Sequence, residues 1–593
     1  MKKNIMIAVI VSLVMLTAFG VFLLVMGKNG TVIKQEQQAM DDSELGIVSL
    51  QDGHYFKRFN TQTKYTDLNI TGDNVNVLLF DTADPANVYN TSVSGAVRSQ
   101  LSRMQDKKTY NFDAPLIAYN PFGTNTCSLY FYFQTKDPCY LRYTVTVEDE
   151  NVPDFVRTMN DSDGSGYCDH EYLITGLIPG TVNYINMELI SEKGKYLKSK
   201  VYRISLPESA YGNAPHINAD MGKNVDKISN GLFFCYGTGK KSIALYDNSG
   251  YLRGEIVLLG ENSTPVCVNN ADMLVAYSEE GIARISRSGQ VLDSYPLGDY
   301  RLGGRMIYNT RGQILAIASD TRRRSVNDII LNIDMESGAV KVAADMKKIL
   351  KKAYKQFDRT GDSMVEIESI EYINNNDLII NSENTSSIIK LDNIMSANPT
   401  VGYIIGSKDR WNIKGYKNKL LEKQAVEDMS DGSDTDSSGT DVSGNTNGTG
   451  NINGADTERK NILEDEAGME PFDDMVGNAG LMYEPIAAGA DDTGNTDAAV
   501  RYYIGTMNNN NGNTSVRKYL VNQDDMTYCL VSDMKVLQNE KGGSVYNTDG
   551  NYVVCQGKNN SFAEYGRDGS VLITYTLPAG AVVKNSMKNF WFR

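Results

Sequence analysis

Apolar and polar residues alternate with a period of two through most of this chain, the spacing that sets one face of a β-strand against a core and the other in solvent. Over residues 217–593 the alternation recurs as a cassette: a turn bearing Asn or Gly, an apolar strand, a gap, then a strand, a turn often of Asp-x-x-Gly form, and another strand. The opening strands read SNGLFFCYG (229–237), NNADMLVAYS (269–278), NTRGQILAIAS (309–319), NNNDLIINS (374–382) and NTDGNYVVCQG (547–557), and a further copy begins at RYYIGTMNN (501–509). Six cassettes of roughly 40 residues predict a six-bladed β-propeller, whose radial repetition protects its sheet edges. A repeated hairpin in an open sandwich is the alternative.

Ahead of these cassettes, residues 111–207 carry short alternating runs (APLIAY, CSLYFYFQ, YLRYTVTVED, EYLITGL, NYINMELIS, KVYRISL) split by TKDP, IPG and EKGK. This spacing predicts an antiparallel β-sandwich of immunoglobulin or fibronectin type. Residues 31–110 read as a stalk with one helix around VRSQLSRMQDKK. At the start, Lys2 and Lys3 precede an unbroken apolar run from Ile5 to Met26, matching the about 20 residues that a helix needs to cross a bilayer. No small-x-small cleavage site follows, so residues 1–30 read as an uncleaved signal anchor, with everything beyond them outside the cytoplasm. The expected protein is all-β: a signal-anchor helix, a sandwich at 111–207 and a propeller at 217–593. Its expected partner is the membrane, through residues 5–26. One stretch interrupts the propeller pattern. Residues 427–457 are Ser, Gly, Asp, Asn and Thr with almost nothing to bury, and they predict a disordered acidic insertion at about 424–498.

Composition narrows the functions. A net charge of -15 and the absence of a Lys/Arg cluster argue against nucleic acid as a partner. The densest basic spot, TRRRS (321–325), reads as a solvated turn. Seven cysteines lack Cys-x-x-Cys spacing, and Cys127, Cys235, Cys267 and Cys555, inside apolar strands, read as small buried hydrophobes. No phosphate loop, serine nucleophile elbow or zinc-protease motif occurs, and neither metal nor cofactor is expected. Glu366 and Glu368, two apart in a predicted strand, read either as an acid–base pair sharing one face or as the wet side of a sheet.

The segments NPFGTNTCSLYFYF (120–133), VEDENVPDFVRT (147–158), HEYLITGLIPG (170–180), YDNSGYLRGEI (246–256), NIDMESG (332–338), MNNNNGNTSVRKYLV (507–521) and the closing NFWFR (589–593), in this order, resemble bacterial PAPS-independent aryl-sulfate sulfotransferases. The resemblance implies a sandwich followed by a six-bladed propeller, and transfer of a sulfuryl group between phenols through a sulfated histidine at the propeller centre. That chemistry needs a neutral imidazole nucleophile and donors for the sulfate oxygens. Where the family has paired histidines and an aspartate, this chain has Gly303, Gly304 and Arg305. At the Asp-Trp-x-His-x-Asn-Ser-Ile motif it has Ser363, Met364, Glu366 and Glu368 before Ser369 and Ile370. The Gly-Gln-His of the nucleophile belongs between Trp411 and Tyr502, an interval with no histidine, and EPIAAGADD (484–492) is the nearest echo. The three histidines, His54, His170 and His216, lie outside the cassettes. The leading expectation is an anchored, sulfotransferase-like propeller that has lost transfer activity and binds a small molecule or cell-surface ligand at its centre, with Glu366, Glu368 and Arg305 as pocket candidates. An enzyme of altered mechanism using Glu366 and Glu368, and a structural surface protein, are the alternatives.

Overall fold

The computed structural model describes residues 87–589 apart from 108, 160–165, 238–239, 262–263, 269–271, 310, 358–363, 375, 426–473, 476–478, 487–500, 511–512, 537–542, 549 and 556–559. It also describes three strands ahead of them, Ile47–Ser49, Tyr55–Phe59 and Val77–Asp81. The apolar run 5–26, His54 and nearly all of the acidic insertion lie outside the described residues, among which no helix is long and apolar enough to cross a membrane.

Nine strands form the first sheet. Its spine is the long strand Leu129–Val147, whose first half pairs with Leu116–Tyr119 and Tyr167–Ile174 and whose second half pairs with Phe155–Met159 and Val182–Ser191. The described parts of the stretch read as a stalk belong to this body. Their strands extend the same sheet, with Val77–Asp81 running parallel to Leu116–Tyr119. The predicted helix is present as Thr91–Lys107. It packs Val97, Leu101 and Met104 against Leu116, Phe122 and Tyr130. Propensity alone could not show this, because docking of an apolar face, more than helix formation, is what holds such a segment.

His170 is fully buried here. Its ring stacks on Phe133 at 4.4 Å, Nε2 faces Thr135 Oγ1 at 2.9 Å and Nδ1 faces Tyr172 Oη at 3.0 Å. Burial, partly opposed by Asp169, pushes its pKa down from 6.5 to about 4. A base with a depressed folded pKa contributes stability that is complete above its unfolded value and lost as pH falls through the folded one. The sandwich should therefore lose on the order of 3 kcal/mol between pH 6.5 and about 4. Unfolding curves across that interval check this, and His170→Phe should flatten the pH slope.

Six smaller sheets follow, each of four or five strands and antiparallel apart from the short parallel strand Glu422–Lys423 at the edge of the fifth. Five begin at an inner strand, Cys267–Val268, Tyr300–Tyr308, Ile367–Tyr372, Ala479–Pro485 and Ser544–Thr548, and step outward. The first blade differs, because its inner strand is the chain's last, Val583–Asn589, pairing with Leu232–Gly237. In return, Asn218–Met221 adds an outer strand to the sixth blade by pairing with Val571–Thr576. The ring is thus closed twice, once at its centre and once at its rim. Alternation along each strand sends successive side chains to opposite neighbours: Leu315 and Ile317 pack toward the fourth blade, and Ile314, Ala316 and Ala318 toward the second. Similar clusters fill the fourth–fifth, fifth–sixth and sixth–first contacts, and full burial of each aliphatic side chain is worth about 1.5–3 kcal/mol.

A buried ion pair fastens the seam. Lys588, on the closing strand, donates to Glu564 of the sixth blade at 2.7 Å, with both side chains fully buried. Glu564 Oε1 also accepts from Ser229 N, Ser229 Oγ and Asn551 Nδ2 at 2.9, 2.8 and 2.6 Å. The Lys588 ammonium stands 4.3 Å from the Phe233 ring centre.

Candidate functional site

Inner strands of neighbouring blades meet at the centre, and there the sequence departs from simple alternation. Tyr300–Tyr308 pairs regularly with its neighbour up to Leu302 and again from Met306, but its register shifts between them, so Gly303, Gly304 and Arg305 form a bulge. Both glycines sit in tight packing. A Cβ on Gly303 would fall 1.5 Å from Asn327 Oδ1, and one on Gly304 would meet Ile317 Cδ1 at 2.9 Å and the Glu368 carbonyl at 3.3 Å. Asn327 donates from Nδ2 to Gly303 O at 3.1 Å and sits at φ +51°. No side chain larger than hydrogen fits at 303 without moving it.

The bulge turns Arg305 toward the neighbouring inner strands. Its guanidinium forms an ion pair with Glu371 on the fourth blade, and Nη1 donates to Leu481 O on the fifth at 2.9 Å. Its guanidinium carbon lies 5.5 Å from the ring centre of Tyr546 on the sixth. One side chain thus links four blades. Arg305 and Glu371 each keep about a fifth of the side chain exposed, 22% and 20%. Burial raises the Glu371 carboxyl, with Arg305 opposing the rise. For Arg305, burial acts against the charge, and Glu371 together with Tyr546 and Cys267 more than compensates. Cys267, on the second blade's inner strand, is half-buried within the field of this pair. Burial pushes its thiol up to about 11, so it is protonated near neutral pH and a poor nucleophile.

Of the expected pocket residues, only Arg305 belongs to this constellation. Glu366 lies ahead of the strand Ile367–Tyr372 and accepts a long, 3.4 Å hydrogen bond from Asn384 Nδ2. Glu368 falls where the register shifts between Ile367 and Ser369. The regular strand that would have aimed both carboxylates from one face is therefore interrupted between them. Glu371, three residues on, is the carboxylate that meets Arg305. Sequence reasoning passed over it because its position matched no catalytic motif, although the same strand pattern contains it.

Other expected positions are structural. Trp411 is fully buried and donates from Nε1 to Ser387 Oγ at 2.9 Å, and Tyr502 is buried with its hydroxyl 2.7 Å from that of Tyr403. Ser363 and residues 487–492 lie outside the described residues. His216 bridges to Tyr251 beside the first blade. The TRRRS turn is an ion-pair network in which Arg322 and Arg323 bind Asp320, and Arg323 also binds Asp345. None of the seven cysteines forms a disulfide; Cys127, Cys235 and Cys555 are buried as expected, whereas Cys267 is only half-buried. Among the described residues no three His, Cys, Asp or Glu side chains gather as a metal site would require.

A second polar constellation joins the two domains. Arg253 is buried on the outer strand of the first blade. It pairs with Asp247 at 2.6 Å and donates to the sandwich carbonyls of Pro153 and Gly176 at 2.6 and 3.2 Å. Two residues on, buried Glu255 accepts from Thr126 Oγ1 at 2.6 Å and Asn213 Nδ2 at 2.7 Å. Gly176 has φ +88°, and a Cβ there would enter the Phe155 ring, over which Arg253 lies at 5.6 Å.

An immunoglobulin-like sandwich fastened to a six-bladed propeller, with a polar centre, defines the class. The family model for the arylsulfotransferase immunoglobulin-like domain matches residues 116–207, and the arylsulfotransferase model itself matches 218–453. Together they span more than half of the chain, which belongs to the arylsulfotransferase family. Solved structures with similarity include a Lactobacillus plantarum protein (9% identity, TM-score 0.31, covering 76% of this chain and all of that one). An auxiliary nutrient binding protein from Bacteroides thetaiotaomicron gives 8% identity and a TM-score of 0.31, covering 76% and 93%. A periplasmic gluconolactonase from Pseudomonas aeruginosa gives 9% and 0.29, covering 74% and 96%. No curated protein matches the chain.

Proposed function

We infer that this chain is an arylsulfotransferase-family propeller that no longer transfers sulfuryl groups and instead binds a small polar ligand at its centre, held outside the cytoplasm by the apolar segment 5–26. One observation carries the reading. The positions that match the family's paired histidines are Gly303 and Gly304, which have no side chain to act as nucleophile, and a Cβ there would meet Asn327 Oδ1 at 1.5 Å and Ile317 Cδ1 at 2.9 Å respectively. The neighbouring Arg305 is engaged by Glu371. The family's covalent route of sulfuryl transfer needs a neutral nitrogen nucleophile that can carry the group and release it. Of the three histidines in the sequence, His170 is enclosed in the sandwich and His216 lies at the domain link. The central thiol is held protonated.

The purified full chain, given p-nitrophenyl sulfate and a phenol acceptor, should release no nitrophenol beyond the protein-free blank. Acceptor-dependent turnover that disappears in Arg305→Leu would overturn the reading.

A further inference from the structure

The Arg305–Glu371 pair is only half used. Arg305 Nη1 is occupied by Glu371 Oε1 and Leu481 O. Among the described residues nothing accepts from the Nε–Nη2 edge, the edge that takes a carboxylate through two parallel hydrogen bonds. Glu371 Oε2 likewise receives no donor among the described residues. Both side chains stay partly exposed, so the two vacant functions, a cationic fork and an anionic oxygen, stand side by side. Tyr546 lines one side, and the uncharged Cys267 thiol lies close by.

Charge arithmetic selects what such a pair recognises. A lone anion drawn to Arg305 meets Glu371 a few ångströms away, and a lone cation drawn to Glu371 meets Arg305. In each case attraction and repulsion of about the same size nearly cancel. A ligand carrying both charges gains from both partners, and its carboxylate fits the open guanidinium edge while its ammonium supplies the missing donor to Glu371. Resting on the reading of the centre as a ligand site, we propose that this propeller binds a small zwitterion of the α-amino-acid type, carboxylate on Arg305 and ammonium on Glu371.

Titration calorimetry on the full chain in detergent tests this with L-leucine, its single-charge analogues isocaproate and isoamylamine, and glucose as a neutral polar control. Saturable binding of leucine at millimolar concentration is expected, with both analogues weaker by about tenfold or more. Arg305→Leu should weaken leucine binding to a similar degree. Because that change strands Glu371, the double variant Arg305→Leu/Glu371→Leu, which leaves no lone charge, should keep the unfolding temperature and still lose leucine. No leucine binding, an analogue binding as tightly as leucine, or undiminished binding in the double variant would each sink the zwitterion. Glucose or isocaproate bound in place of leucine and lost in the double variant would also overturn it, yet would leave a central ligand site standing.

Discussion

Replacing Lys588 with Met should destabilise the propeller by about 3–5 kcal/mol, the usual cost of removing one partner from a fully buried ion pair. Lys588 is the sole charged donor to Glu564 among the described residues. Without it, a carboxylate at zero exposure keeps only the bonds from Ser229 and Asn551. The reverse change, Glu564→Gln, should cost less. Burial already holds the Lys588 pKa down at about 8, with Glu564 the group that supports it. Deprived of Glu564, the lysine can shed its proton near neutral pH, and a neutral amine is far cheaper to bury than a stranded carboxylate. Denaturant unfolding of the two single variants and of Lys588→Met/Glu564→Leu should rank them in that order, with the double recovering much of the loss. Equal losses in both single variants would refute the asymmetry.

Arg253→Met should produce the second large effect, about 3 kcal/mol, by leaving the Asp247 carboxylate and the carbonyls of Pro153 and Gly176 without their charged donor. The loss should fall on the joint between domains. Thermal unfolding of the variant should separate into a sandwich transition and a propeller transition, and protease should cut the domain link at 207–217 sooner than in the parent. A single, uniformly shifted transition with unchanged cleavage would place the role of Arg253 inside the first blade alone.

These two sites show what was legible in the sequence. The cassettes did locate the blades, because period-two alternation directly records which residues face a neighbouring sheet. The family-like segments at 120–133, 147–158, 170–180 and 246–256 were visible as motifs, but their common purpose was not. Thr126, Pro153, Gly176, Arg253 and Glu255 come from these four segments and meet at a single interface, a convergence that only the fold reveals. The central site was half readable. Arg305 could be singled out because it stands where the look-alike family has an aspartate, whereas reading Glu366 and Glu368 as a pair on one face assumed an unbroken strand. The register shift at Glu368 breaks that assumption, and bulges leave little trace in residue pattern. Glu371 had no motif to mark it. The stalk reading failed because short polar segments look alike whether they are free or serve as the edge of a sheet.

The two-way closure of the ring has a consequence for biogenesis. A chain made from its N-terminus can assemble the second to fifth blades as they emerge, but the first blade lacks the strand Val583–Asn589 until residues 583–589 have been delivered. Until then Leu232–Gly237, which includes Phe233, Phe234 and Cys235, presents an unpaired apolar edge, the kind of surface that recruits wrong partners. A nascent molecule, or one cut ahead of Val583, is therefore an open spiral with one adhesive end, and pairing of Val583–Asn589 with Leu232–Gly237 is the step that closes the ring.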